Sequence, residues 1–192
     1  MRTLGSASVD DFIEWYLRRE LTKANIRNVG QTRFERHAQM EATQPGKLWP
    51  GYISWSWSLV EISPSELPNL LILGSGWTRE ERLVRNHILR TLDAAVTHAL
   101  DSGYFTTQAD RRARHQSYYN AYERSTPSTS EFDRIVLRTL RDDERAEVVT
   151  AGRGDVSYYL HDGFGRCLPY LTLLRQERVE PVVIQAYLAK AA

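Results

Sequence analysis

A mixed α/β fold is predicted by three features of the sequence: an alternating apolar run over Ile53–Ile62, a strand over Val156–Asp162 that ends in a glycine turn and feeds a helix, and a return to strand over Val179–Ile184. Helical patterns lie between them. Strands interleaved with helices and joined by one tight hairpin predict a small mixed β-sheet packed by helices, not a regular doubly wound sheet.

The first helix is predicted from Ser8, which can cap it, with Asp10 and Asp11 near the positive end of the dipole. Phe12, Ile13, Tyr16 and Leu17 form its apolar stripe. A more polar stretch, Thr22 to Thr43, carries Arg27, Arg33, Arg36 and His37, and Pro45-Gly46 ends it. Residues 1–48 thus form an N-terminal helical arm, and 49–192 the main domain. That domain opens on Trp49, Tyr52, Trp55 and Trp57, where Ile53, Trp55, Trp57 and Leu59 alternate with polar residues before the turn Ser63-Pro64-Ser65-Glu66. Gly74-Ser75-Gly76 breaks the chain again. Thr78 then caps a helical pattern that runs through Leu83, Ile88, Leu92 and Val96 to Leu100, and a second helix is predicted over Gln108–Tyr122. Both belong to a helical insertion at about 78–124. A further helix is predicted from Glu131 to Asp143, with Phe132, Ile135, Val136 and Leu140 on one side. Val148-Val149-Thr150 supplies the first strand of the hairpin, and helical spacing resumes over Leu168–Leu174.

Composition narrows the function classes. An apolar fraction of 42% in 192 residues suffices for an ordinary core. With 25 basic and 24 acidic residues the formal charge is +1, so nucleic-acid affinity must come from clustered charge. A single cysteine excludes an internal disulfide, and neither a signal peptide nor a membrane-spanning run is present, which predicts a cytoplasmic protein without membrane insertion.

The chemistry concentrates at His161-Asp162-Gly163-Phe164-Gly165-Arg166-Cys167. A strand, a glycine turn and a helix N-terminus together present backbone N–H groups to an anion, so Gly163, Phe164, Gly165, Arg166 and Cys167 are the candidate phosphate- or nucleotide-binding residues. Arg166 also suits this role because an arginine at a helix N-terminus opposes the dipole unless an anion is present, although Arg166 also reads as a surface ion-pair residue and Gly163 and Gly165 as glycines that simply shape a turn. Asp162 and His161, at the strand end, are the candidate catalytic partners of Arg166, as general base or divalent-metal ligand at a phosphodiester. Asp162 also reads as an ordinary turn residue before glycine, and His161 alone as structural. Separately, Arg111, Arg112 and Arg114 stand beside Tyr118, Tyr119 and Tyr122, a combination of phosphate contacts and stacking surfaces suited to single-stranded nucleic acid, or else a solvated helix face.

These residues resemble the ParB/sulfiredoxin superfamily of small α/β domains. Val60-Glu61-Ile62-Ser63-Pro64-Ser65-Glu66-Leu67 is similar to its opening strand and turn, Gly163-Phe164-Gly165-Arg166 to its phosphate-binding Gly-x-x-Arg motif, and Glu180-Pro181-Val182-Val183-Ile184 to its closing strand. The resemblance covers roughly Trp55 to the C-terminus. A second register sets Phe164-Gly165-Arg166-Cys167-Leu168-Pro169-Tyr170 beside the sulfiredoxin signature Phe-Gly-Gly-Cys-His-Arg-Tyr. There Leu168 and Pro169 replace the His and Arg, which disfavours sulfinic-acid reduction by Cys167. Partition-type CTP hydrolysis is disfavoured in the first register, where Phe164 and Gly165 replace the usual acidic and basic residues. The resemblance implies a DNA- or nucleotide-binding protein with nuclease or ATPase activity and, as cofactors, Mg²⁺ and ATP or another nucleotide. In size and in its N-terminal arm the chain also resembles plasmid fertility-inhibition proteins of the oncogenic-suppression type, which block DNA transfer through a type IV secretion system. That resemblance implies a secretion component as partner and, as the alternative to hydrolysis, a non-catalytic inhibitor.

Overall fold

A computed structural model describes residues 1–23, 25–42, 51–72, 90–106, 113–140, 142, 145–146 and 156–190. The fold is mixed α/β. Among the described residues seven strands form one sheet: β1 (Arg2–Ala7), β2 (Ser56–Ile62), β3 (Leu71–Ile72), β4 (Arg90–Thr91), β5 (Ile135–Thr139), β6 (Tyr158–Asp162) and β7 (Ile184–Lys190), in the order β1-β2-β7-β5-β6-β3-β4. β7 runs parallel to β5, and β3 runs parallel to β6, whereas the other neighbouring pairs are antiparallel. Five helices are described: α1 (Val9–Thr22), α2 (Arg33–Ala42), α3 (Leu92–Asp101), α4 (Ala113–Arg124) and α5 (Phe164–Arg175).

The central strands are apolar on both faces, and this explains the layering. Along β7, Ile184, Ala186 and Leu188 join one core with α3, α4 and α5, while Tyr187 and Ala189 join a second core with α1 and α2. β5 divides likewise, Ile135 and Leu137 facing the first core and Val136 the second. The segment predicted as a helix over Glu131–Asp143 is therefore strand β5, its four first residues all buried. Short apolar runs satisfy either period, and here pairing with β6 and β7 on both sides overrides the helical spacing.

α1 starts as its sequence predicts. Asp11 N–H donates to Ser8 Oγ at 3.0 Å and Ser8 N–H donates to Asp11 Oδ2 at 2.8 Å, a reciprocal cap. Its buried residues Phe12, Ile13, Tyr16 and Leu17 cover one sheet face, and the Phe12 ring stacks on Trp57 at 4.0 Å. The N-terminal segment is not helical throughout, because Arg2–Ala7 pairs with β2 as an edge strand. Tyr52–Ser54 form a 3₁₀ turn before β2, and Ile53 is exposed. The face of β2 that joins the larger core carries Val60 and Ile62, while Trp57 faces α1. The turn after it is closed by Glu66, whose carboxylate accepts from Ser63 N–H at 2.9 Å. β7 begins at Ile184, where the predicted closing strand ends. Pro45-Gly46, Trp49, Gly74-Ser75-Gly76, the Thr78 cap and the Val148-Val149-Thr150 strand lie outside the described residues. The antiparallel neighbour of β6 is β5.

Candidate phosphate site at the β6–α5 junction

Asp162 ends β6, Gly163 turns the chain, and α5 begins at Phe164. Gly163 has φ 115°, and a Cβ there would lie 2.4 Å from Ile135 Cγ2. Only glycine accepts both the positive φ and this approach to β5. The helix starts earlier than its apolar spacing predicts, so Pro169 falls inside it and not at its first turn. The N–H groups of Arg166 and Cys167 both donate to Gly163 O at 2.9 Å. His115 of α4 rests against Gly165 and meets the Phe164 ring edge-on at 5.6 Å, with its Nδ1 3.0 Å from Tyr104 Oη.

The Arg166 side chain turns inward. Its Nη1 donates to Asp133 Oδ2 at 3.0 Å, and its Nη2 donates to Arg134 O at 2.7 Å and to Asp162 Oδ2 at 3.3 Å. A second guanidinium reaches the same two carboxylate oxygens: Arg19 of α1 pairs through Nε with Asp133 Oδ2 at 3.0 Å and through Nη1 with Asp162 Oδ2. The Arg166 and Arg19 side chains are 2% and 7% exposed, whereas those of Asp162 and Asp133 are 27% and 37% exposed. Desolvation pushes the Asp162 carboxyl up, but Arg19 and Arg166 outweigh it and hold the group at about 2. A carboxylate so weakly basic is a poor general base.

The remaining predicted residues are distributed around this cluster. His161 points to the aromatic side, its ring centroid 6.0 Å from Trp55 and 5.7 Å from Tyr159, as alternation along β6 requires. Cys167 is fully buried, and burial pushes its thiol up to about 12, far from an activated nucleophile. Arg111 and Arg112 lie outside the described residues. Arg114 is exposed at the start of α4, with its guanidinium 6.0 Å from the Tyr118 ring. It is close enough to α1 to act on Tyr16 and Lys23. Lys23 itself, at the end of α1, donates to Glu20 at 3.0 Å, yet it gives up its proton more readily than a free lysine, because burial first, then Arg19 and more weakly Arg114, outweigh that partner. Lys23 also acts on Asp162.

Arg19, Lys23 and Asp133 stand in no sequence motif. One signal does exist for Arg19, which falls on the stripe of Phe12 and Tyr16 and so brings a charge to a buried face. Among the described residues no three His, Cys, Asp or Glu side chains are grouped to hold a metal ion. Asp133 and Asp162 are each shared by two guanidinium groups, so this donor set does not fit Mg²⁺ as arranged. No helix among the described residues is long and apolar enough to cross a membrane. No family model, curated protein or solved structure matches this chain. The ParB/sulfiredoxin likeness accordingly rests on the sequence segments that carry it.

Proposed function

We propose that this chain is a ParB/sulfiredoxin-like protein that binds the phosphate of DNA or of a nucleotide at the rim between α1, α4 and the β6–α5 junction. The observation that carries this reading is the approach of Arg114 of α4 to Lys23 at the end of α1, where Lys23 pairs with Glu20 at 3.0 Å and lies near Arg19 and Asp162. Arg114 adds a further cation to groups already paired with Asp133, Asp162 and Glu20, and this raises the local potential in a way that an anion relieves. A net charge of +1 gives no such preference to the surface at large.

Hydrolysis of a phosphodiester or a nucleoside triphosphate, with Mg²⁺ and ATP, is the further activity that the resemblance implies. It requires Asp162 to leave Arg19 and Arg166, since the carboxylate is otherwise occupied. Binding is therefore the first property to measure. Fluorescence anisotropy with a labelled single-stranded oligonucleotide is expected to show a Kd that rises with salt. Neutralising Lys23 and Arg114 together is expected to weaken binding by about tenfold and to flatten the salt slope by about 0.7 for each phosphate no longer neutralised. Equal affinity in wild type and double variant would sink this reading.

A second reading is a non-catalytic inhibitor that docks on a conjugation or type IV secretion component. It is favoured by the mutual pairing of Asp162 and Arg166 and the burial of Cys167, together with the 82% exposure of Phe34 on α2. Here the wild type would not retain the oligonucleotide, and Phe34→Ser would abolish inhibition of DNA transfer in a mating assay while leaving the thermal melt unchanged.

A further inference from the structure

We infer that Asp133 and Asp162 act as an internal substitute for a phosphodiester, holding Arg19 and Arg166 as an anion clamp that is closed in the free protein. This rests on the phosphate reading above and specifies how that site is regulated. Two single oxygens, Asp133 Oδ2 and Asp162 Oδ2, are each contacted by both guanidinium groups. A phosphodiester presents the same pattern, two anionic oxygens on one centre, and paired guanidinium forks are suited to it. The carboxylates are the more exposed partners, so an anion arriving from solvent meets them before it meets the arginines.

Charge explains why the clamp is closed. Two aspartates balance two arginines, and a phosphate entering this neutral set is repelled by both carboxylates. Without them, two buried guanidinium groups would lack counter-charges, a costly state. The substitute is also imperfect. Arg166 Nε is buried and has no hydrogen-bond acceptor among the described residues, so one donor of the fork is left for an oxygen that the aspartates do not supply. Arg19 comes from α1 and Arg166 from α5, so the clamp exists only where the N-terminal helix lies against the sheet.

Asp133→Asn and Asp162→Asn in the full chain test this, read by anisotropy of the labelled single-stranded oligonucleotide with ATP and inorganic phosphate as competitors. Each variant is expected to bind at least about tenfold more tightly than wild type, with a salt slope steeper by about 0.7 for each additional phosphate neutralised. In an Arg19→Ala background Asp133→Asn is expected to give no increase over Arg19→Ala alone, a coupling that mere removal of a surface negative charge would not produce. Competition by ATP and phosphate supports a clamp open to free phosphate as well as to nucleic acid, and resistance to both supports one that reads the polymer. A folded Asp133→Asn protein with unchanged affinity overturns the inference, as does an increase that survives Arg19→Ala. If Asp162→Asn does not fold by circular dichroism, the more exposed Asp133→Asn decides. The binding reading fails separately, by indifference of the wild type to neutralisation of Lys23 and Arg114.

Discussion

Gly163 combines two demands at one position, a φ of 115° and a separation from Ile135 that leaves no room for a Cβ. Gly163→Ala is therefore expected to destabilise the protein by about 2 to 4 kcal/mol, from backbone strain plus overpacking against β5. Urea denaturation followed by circular dichroism checks this, and a cost under about 0.5 kcal/mol, the range of ordinary surface substitutions, would refute the packing account. That this glycine is special is legible in the sequence, because it stands between a strand pattern and a helix pattern. The engagement of Arg166 is not legible there. Its partner Asp133 is 33 residues away and reaches it only because β5 lies beside β6. The inertness of Cys167 is half legible: Leu168 and Pro169 already disfavour a catalytic thiol there, and complete burial in the larger core adds what no motif shows.

Among the elements, α1 shows most directly how a local pattern becomes a long-range device. Its cap and apolar stripe are set by adjacent residues, and the same stripe delivers Arg19 to Asp162. The stability supplied by that contact depends on pH. Asp162 has its carboxyl lowered from 3.8 to about 2 in the folded chain, so its contribution is complete above about pH 4 and is lost as the pH falls towards 2. The shift corresponds to roughly 2 kcal/mol. Stability measured by urea denaturation between pH 6 and pH 2.5 is expected to fall through this window. Asp162→Asn is expected to be less stable at pH 7 and to lose less on acidification, and equal acid sensitivity in the two proteins would contradict the assignment. β5 teaches the opposite lesson. Phe132, Ile135, Val136 and Leu140 have helical spacing, yet Ile135–Thr139 is a strand, because a strand covered on both faces loses the alternation that would identify it.

For the whole molecule, the mixed α/β class follows from local signals alone: apolar strand patterns, helical stripes between them, and glycine turns where they meet. The Ser8 cap, the special place of Gly163 and the lack of bulk charge for nucleic-acid binding are equally properties of the sequence. Only the tertiary structure decided that Glu131–Asp143 contributes a central strand, that Arg2–Ala7 adds an edge strand, and that α1 and α2 cover one sheet face while α3, α4 and α5 cover the other. It also decided the state of the candidate site, where Arg19 and Asp162, 143 positions apart, share a charge cluster with Arg166 and Asp133. The physical reason is one of range. Periodicity, capping and turn chemistry act over a few residues, whereas the pairing of a buried charge depends on which strands and helices become neighbours when the sheet closes its two cores.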